Sequence, residues 1–154
     1  MFNIALFEPK IPQNTGNIIR LVANNGSKLH LIEPLGFDLK DKNLKRSGLD
    51  YFDLANVYVH KNYESFYIAM YMHRIFAFTT KATNYYNAIN YIPGDVLLFG
   101  SETSGLSEAI HASIPSDNKL RLPMKPTNRS MNLANSVAIV SYEAWGQNGF
   151  QGGF

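Results

Sequence analysis

The chain has 154 residues, 45% of them hydrophobic and 17% charged, with a formal net charge of +2. Ten Phe, nine Tyr and one Trp exclude a disordered segment and suit a single domain, residues 1–154, large enough to bury a substantial core. The absence of cysteine excludes disulfides and thiolate metal sites, while so small a net charge argues neither for nor against a nucleic-acid partner.

Met1-Phe2-Asn3-Ile4 has no basic start followed by an apolar core, so no signal peptide is expected. No uncharged apolar run approaches the ~20 residues of a membrane helix. A soluble, cytoplasmic protein with no membrane partner is the expectation. Phe2 to Phe7 is almost entirely apolar, as in a strand covered on both faces. Asn14-Thr15-Gly16 then starts a helix whose stripe is Ile18, Ile19, Val22 and Ala23, stopped by Asn25-Gly26. Lys28 to Ile32 reads as a second strand. A polar segment from Asp38 to Asp53 follows, with a short helical piece around Asp41 to Arg46.

Val57 to His60 is the next strand, and Tyr63, Phe66, Tyr67 and Met70 share one helix face. Arg74 to Thr80 and Asp95 to Phe99 are further strands, separated by the tyrosine-rich stretch Lys81 to Tyr91. Ser104 to Ala112 is read as a helix, Lys119 to Leu122 as the last strand, and Asn132 to Trp145 as the terminal helix. Strands alternating with helices make this an α/β domain with a mostly parallel sheet flanked by helices. On the terminal helix, Leu133, Val137 and Val140 form one row and Met131, Ala134, Ala138, Ser141 and Trp145 another. Two apolar rows exceed one core-facing stripe. The second row is covered either within the domain or by a second copy.

Three stretches carry residues suited to chemistry. In Asn14-Thr15-Gly16-Asn17-Ile18-Ile19-Arg20, a guanidinium beyond a polar turn can hold a phosphate by two parallel bonds; the alternative is ordinary capping and a surface arginine. In Leu98-Phe99-Gly100-Ser101-Glu102-Thr103-Ser104-Gly105-Leu106, a glycine at a strand end lets a ligand approach the backbone; the alternative is a structural turn. In the third, Leu122-Pro123-Met124 leads through a loop to Ser130-Met131-Asn132. There Ser130 or Asn132 can cap the terminal helix or face a ligand. His30, His60, His73 and His111 show no pair at metal-ligand spacing, so no metal is expected. Lys40, Lys42, Lys45 and Arg46 are either a solvated face or a contact for RNA phosphates.

Taken in order, these motifs resemble the SPOUT class of S-adenosylmethionine-dependent RNA methyltransferases, and within it the small bacterial enzymes that methylate the wobble ribose of tRNA. The match includes Glu8-Pro9, Ile11-Pro12 through Arg20, Leu31 through Phe37, Arg46 through Tyr51, Thr79-Thr80-Lys81, Phe99-Gly100 with Glu102 and Gly105, and Arg129 through Asn135. It implies a deep C-terminal trefoil knot and a homodimer packed through the first and last helices. It also implies 2′-O-methylation of a wobble cytidine or modified uridine in the tRNA anticodon loop, with leucine tRNAs the expected substrates. S-adenosylmethionine is the implied methyl donor and S-adenosylhomocysteine the product. The alternatives are the same reaction on another tRNA or ribosomal RNA position, and a non-catalytic RNA-binding module of the same fold.

The resemblance places Phe78, Thr79, Gly100, Leu122, Met124, Ser130 and Met131 at the cofactor. Arg20 matches the catalytic arginine and is also expected to touch RNA, while Asn14, Glu102, Ser130 and Asn132 match polar positions supporting it or the substrate. The RNA-binding set is completed by Lys40, Lys42, Lys45 and Arg46. Ser101 and Ser104 stand where the family has proline and arginine, and Ala82 follows Lys81 where it has glycine.

Overall fold

Short runs of apolar residues build the strands β1 (Asn3–Phe7), β2 (Lys28–Ile32), β3 (Val57–His60), β4 (Ile75–Phe78) and β6 (Val96–Phe99). The edge pieces β5 (Asn84–Tyr85) and β7 (Lys119–Arg121) complete a seven-stranded sheet in the order β3-β2-β1-β6-β4-β7-β5. This is a computed structural model, describing residues 1–39, 56–128 and 130–154. Every strand pair in the sheet is parallel. Parallel strands need crossovers, and these carry the helices α1 (Pro12–Asn25), α2 (Tyr63–Met70) and α3 (Glu108–Ser113), while α4 (Leu133–Gln147) follows the last strand.

The two-residue period of each strand sorts its side chains between two cores. Phe2, Ile4, Leu6, Leu29, Leu31, Phe76, Phe78, Leu97 and Phe99 meet Ile18, Ile19 and Val22 of α1 and Leu133, Val137 and Val140 of α4 on one face. On the other, Ala5, Ile32, Ala77, Val96 and Leu98 meet Phe66 of α2 and Ile110 of α3. Helices on both faces explain why the central strands lack polar alternation. At the N-terminal side of the sheet the buried Asp95 accepts from Arg74 Nε at 2.8 Å, Arg74 Nη2 at 2.6 Å and the Ile92 amide at 2.8 Å.

The structure moves several boundaries. The first helix begins at Pro12, not Asn14, and its N-cap Ile11 supplies no side-chain cap. Gly26 (φ 71°) ends it in the left-handed conformation expected from Asn25-Gly26. On α2, Phe66 is buried but Tyr67 is exposed, so the packed stripe excludes one of the four expected residues. The helix expected over Ser104–Ala112 covers only Glu108–Ser113. Gly105 (φ 68°) and an antiparallel bridge between Ser101 and Gly105 hold the earlier residues in a turn, and Ser107 caps the helix by accepting from the Ile110 amide. The least regular expected stretch, Lys81–Tyr91, contains β5 and a 3-10 turn at Tyr86–Ala88.

On α4, Ala134 and Ser141 of the second row are already buried within the chain, and Ala138 and Trp145 are half-buried. The exposed apolar side chains are Ile139 and Tyr142 instead. The helical piece expected around Asp41 to Arg46 lies outside the described residues.

Candidate functional site

The strands β4, β6 and β7 release their loops at their C-terminal ends, side by side. Crevices at such ends, where neighbouring connections diverge, are the usual ligand sites of parallel sheets. Here the crevice is a cavity of about 490 Å³, closed on its fourth side by the approach to α4. Phe78 and Phe99 form its apolar floor, with ring centroids 4.7 Å apart and planes 15° apart. Leu122, Met124 and Leu133 add aliphatic wall, while Thr79, Ser130 and Ser136 add hydroxyls.

Gly100 is required by the way the β6 loop folds back. A Cβ there would lie 2.3 Å from the Gly105 carbonyl carbon and 2.4 Å from the Leu106 nitrogen. The loop is pinned by two backbone bonds, Ser101 amide to Gly105 oxygen at 3.2 Å and the reverse at 2.9 Å. This hairpin sends the Glu102 carboxylate toward the start of α1. Glu102 Oε2 accepts from the Lys10 amide at 2.8 Å, and Oε1 accepts from the Ile11 amide and from Asn14 Nδ2, each at 3.1 Å. The N-cap residue Ile11 and the residue before it are therefore held by the β6 loop, which places a carboxylate beside the helix N-terminus.

The same bonds continue to the last helix. Asn132 Nδ2 donates to Asn14 Oδ1 at 3.0 Å, while Asn132 Oδ1 accepts from the Asn135 amide at 3.2 Å and caps α4. One hydrogen-bonded chain, Glu102–Asn14–Asn132, thus joins the β6 loop, α1 and α4. Of the two cap candidates, Asn132 is the cap and Ser130 lines the cavity.

On the opposite rim, Thr79 Oγ1 accepts from the Lys81 amide at 3.2 Å, shaping a tight turn. Lys81 forms an ion pair with Glu108, holding that carboxyl below its ordinary range chiefly through their hydrogen bond. Both side chains line the cavity. Two buried polar atoms of lining residues, Ser101 Oγ and His111 Nε2, have no partner among the described residues. Such groups are expensive to leave unpaired, which suits a wall completed by a polar ligand or water. No group of three His, Cys, Asp or Glu arranged to hold a metal ion occurs among the described residues, and no described helix is long and apolar enough to cross a membrane.

The structure therefore brings together Phe78, Thr79, Gly100, Leu122, Met124, Ser130 and Met131 around one cavity, with Glu102 at its edge. Asn14 and Asn132 are tied to that edge without lining the cavity. Arg20 is not brought there. Six residues beyond Asn14 on a helix of 3.6 residues per turn, it is rotated away by about 120°. It is exposed and has no side-chain hydrogen bond or ion pair among the described residues. Lys40, Lys42, Lys45 and Arg46 lie outside the described residues. Sequence reasoning about the site missed Lys81 and Glu108; their only signal was the Thr-Thr-Lys run after β4, because Glu108 is unremarkable until the fold places it opposite. A second, more open groove of about 540 Å³ runs along Glu33, Leu35, Phe37 and Lys61 and holds none of the expected site residues.

A model of the SpoU rRNA methylase family matches residues 1–142. A tRNA (cytidine(34)-2′-O)-methyltransferase from Methylovorus glucosotrophus is 53% identical over 152 residues, covering 99% of both chains. A solved structure described as giving insights into the 2-OH methylation of C/U34 on tRNA is 40% identical, with a TM-score of 0.90 and 97% of both chains covered. The methyltransferase AviRb of Streptomyces viridochromogenes, solved in complex with AdoMet, shares the fold at a TM-score of 0.82 and 21% identity. That match covers 99% of this chain and 58% of AviRb.

Proposed function

The chain belongs to the SpoU rRNA methylase family, and from that premise we propose that it methylates the ribose 2′-oxygen of the wobble nucleotide of tRNA, a cytidine or modified uridine, using S-adenosylmethionine in the cytoplasm. Leucine tRNAs are its substrates in this reading, and residues 1–154 act as one domain of this class. The observation that carries it is the full-length likeness to a relative named for this reaction, in a chain whose cavity gathers all seven expected cofactor residues.

The cavity suits the cofactor by the chemistry of its donors. The stacked Phe78 and Phe99, with Leu122 and Met124, offer a slot for a flat nucleobase. Ser130 and Thr79 offer hydroxyls, and the rim carries one charge of each sign in Lys81 and Glu108. When bound, S-adenosylmethionine supplies a methyl group already activated by its sulfonium, so the protein's task is mainly alignment. Holding two reacting groups in line is worth roughly 7–11 kcal/mol. The Glu102–Asn14–Asn132 chain serves that end by fixing the β6 loop against the start of α4, with Ser130 two residues before the cap.

Arg20 is assigned to the 2′-oxygen, where its cationic guanidinium stabilises the developing negative charge or, in its deprotonated form, takes up the hydroxyl proton. Because it does not line the cavity of its own chain, that role requires the RNA or a second copy to bring the two together. A homodimer through α1 and α4 is proposed on the same grounds. It is supported by the exposed Ile139 and Tyr142 on α4. A trefoil knot formed by the loops around the cavity belongs to this reading too, as does an RNA contact by Lys40, Lys42, Lys45 and Arg46.

The test is transfer of labelled methyl from S-adenosylmethionine to tRNA from cells lacking this protein, with wild type and Arg20→Ala compared and the product nucleotide mapped. Label on a wobble ribose that depends on Arg20 is the expected result. Label at another nucleotide overturns the substrate, and label undiminished in Arg20→Ala overturns the role of the guanidinium.

A further inference from the structure

Among the described residues, four charged or titratable side chains line the cavity: Lys81, Glu102, Glu108 and His111. Glu102 is fully engaged, its two oxygens accepting three hydrogen bonds from Lys10, Ile11 and Asn14. Lys81 and Glu108, in contrast, bond mainly to each other, although they lie 27 residues apart in the chain. Their side chains are 59% and 82% exposed. A pair so open to water is worth little in itself, so it is readily exchanged for other charged partners.

We propose that Lys81 and Glu108 form the subsite for the zwitterionic amino-acid end of the cofactor, Lys81 taking the α-carboxylate and Glu108 the α-ammonium. The inference rests on the cofactor reading of this cavity given above. A group with an acid and an ammonium on one carbon is the natural partner of two opposed charges held side by side. Each ligand charge meets its complement, and the bond between Lys81 and Glu108 is replaced by two charge-assisted bonds. The turn at Thr79–Ala82 positions Lys81, and the Ser107 cap positions the start of α3 that carries Glu108. The aromatic floor of Phe78 and Phe99 leaves the nucleoside end to the interior.

The test is calorimetric binding of two nucleosides to wild type, Lys81→Ala and Glu108→Ala. S-adenosylhomocysteine carries the amino-acid end, and 5′-deoxy-5′-methylthioadenosine lacks it. Wild type is expected to prefer S-adenosylhomocysteine, and each variant to weaken that ligand about tenfold while leaving methylthioadenosine unchanged. Both positions are exposed, and thermal unfolding of each variant confirms an intact fold. If the variants keep the wild-type preference, or weaken both ligands equally, the pair is an ordinary surface ion pair and the proposal is wrong. If wild type binds neither nucleoside, the cofactor reading of the cavity itself falls and the subsite with it.

Discussion

His30 offers a quantitative test of the packing around β2. It is 3% exposed, with its ring stacked on Tyr58 and His60 and edge-on to Phe66. Asn3 Nδ2 donates to the Gly94 carbonyl at 2.9 Å, which leaves Asn3 Oδ1 as acceptor toward His30 Nε2 at 3.3 Å. Nε2 of His30 therefore carries the proton, and Nδ1 accepts from His60 Nε2 at 2.9 Å. A second proton on His30 would place two N–H groups face to face. Burial first, then the charges of His60, Lys28 and His73, lower its pKa from 6.5 to about 4.

The unfolded chain protonates His30 first as pH falls. Its contribution to stability is accordingly complete above pH 6.5 and lost progressively down to about pH 4. A difference of that size corresponds to about 3 kcal/mol, a large part of the 5–15 kcal/mol typical of a domain. Urea unfolding of wild type and His30→Asn between pH 7 and pH 4 isolates the effect, since contributions from other titrating groups largely cancel in the difference. The stability gap is expected to shrink by about 3 kcal/mol across that range. A gap independent of pH, or a His30 ring resonance titrating near 6.5 in the folded protein, would refute the reasoning.

Two further substitutions probe the scaffold. Glu102→Ala removes the acceptor for two amides at the start of α1 and for Asn14. It should destabilise the protein by about 1–3 kcal/mol and lower methyl transfer more than cofactor affinity; unfolding and binding assays on one preparation separate the effects. Asp95→Ala leaves Arg74 and the Ile92 amide without their buried acceptor. Because Arg74 is 44% exposed and can turn to water, the loss should be about 1–3 kcal/mol, and a change below about 1 kcal/mol in urea unfolding would contradict the packing described.

The parts of the fold visible in sequence are those governed by local pattern. β2 falls where its apolar run places it, because strands buried on both faces leave a continuous apolar signature, while β3, an exposed edge strand, is marked by its β-branched and aromatic residues Val57, Tyr58 and Val59. The start of α1 was not visible, since the amides of Lys10 and Ile11 leading into it are held by Glu102, some 90 residues away. The Ser104–Leu106 stretch has helix-compatible residues, but the bridge from Ser101 to Gly105 overrides them. The scattered histidines hid the His30–His60 contact, which exists only because β2 and β3 pair in parallel. The residues gathered around the cavity were legible through the family motifs they occupy. Arg20 was legible as a motif residue, yet its place on α1 away from the cavity depends on how the helix turns after Asn14.

The hydrogen-bonded chain through Glu102, Asn14 and Asn132 also bears on the order in which a ribosome delivers this protein. Its three members come from the first helix, the middle of the sheet and the cap of the last described helix. A nascent chain that has exposed every strand still lacks Asn132, and with it the lock that seats the final wall of the cavity. Domains tend to fold as units while they emerge. Here completion of the cavity is deferred until α4 arrives, so truncated products of interrupted translation are left without its last wall.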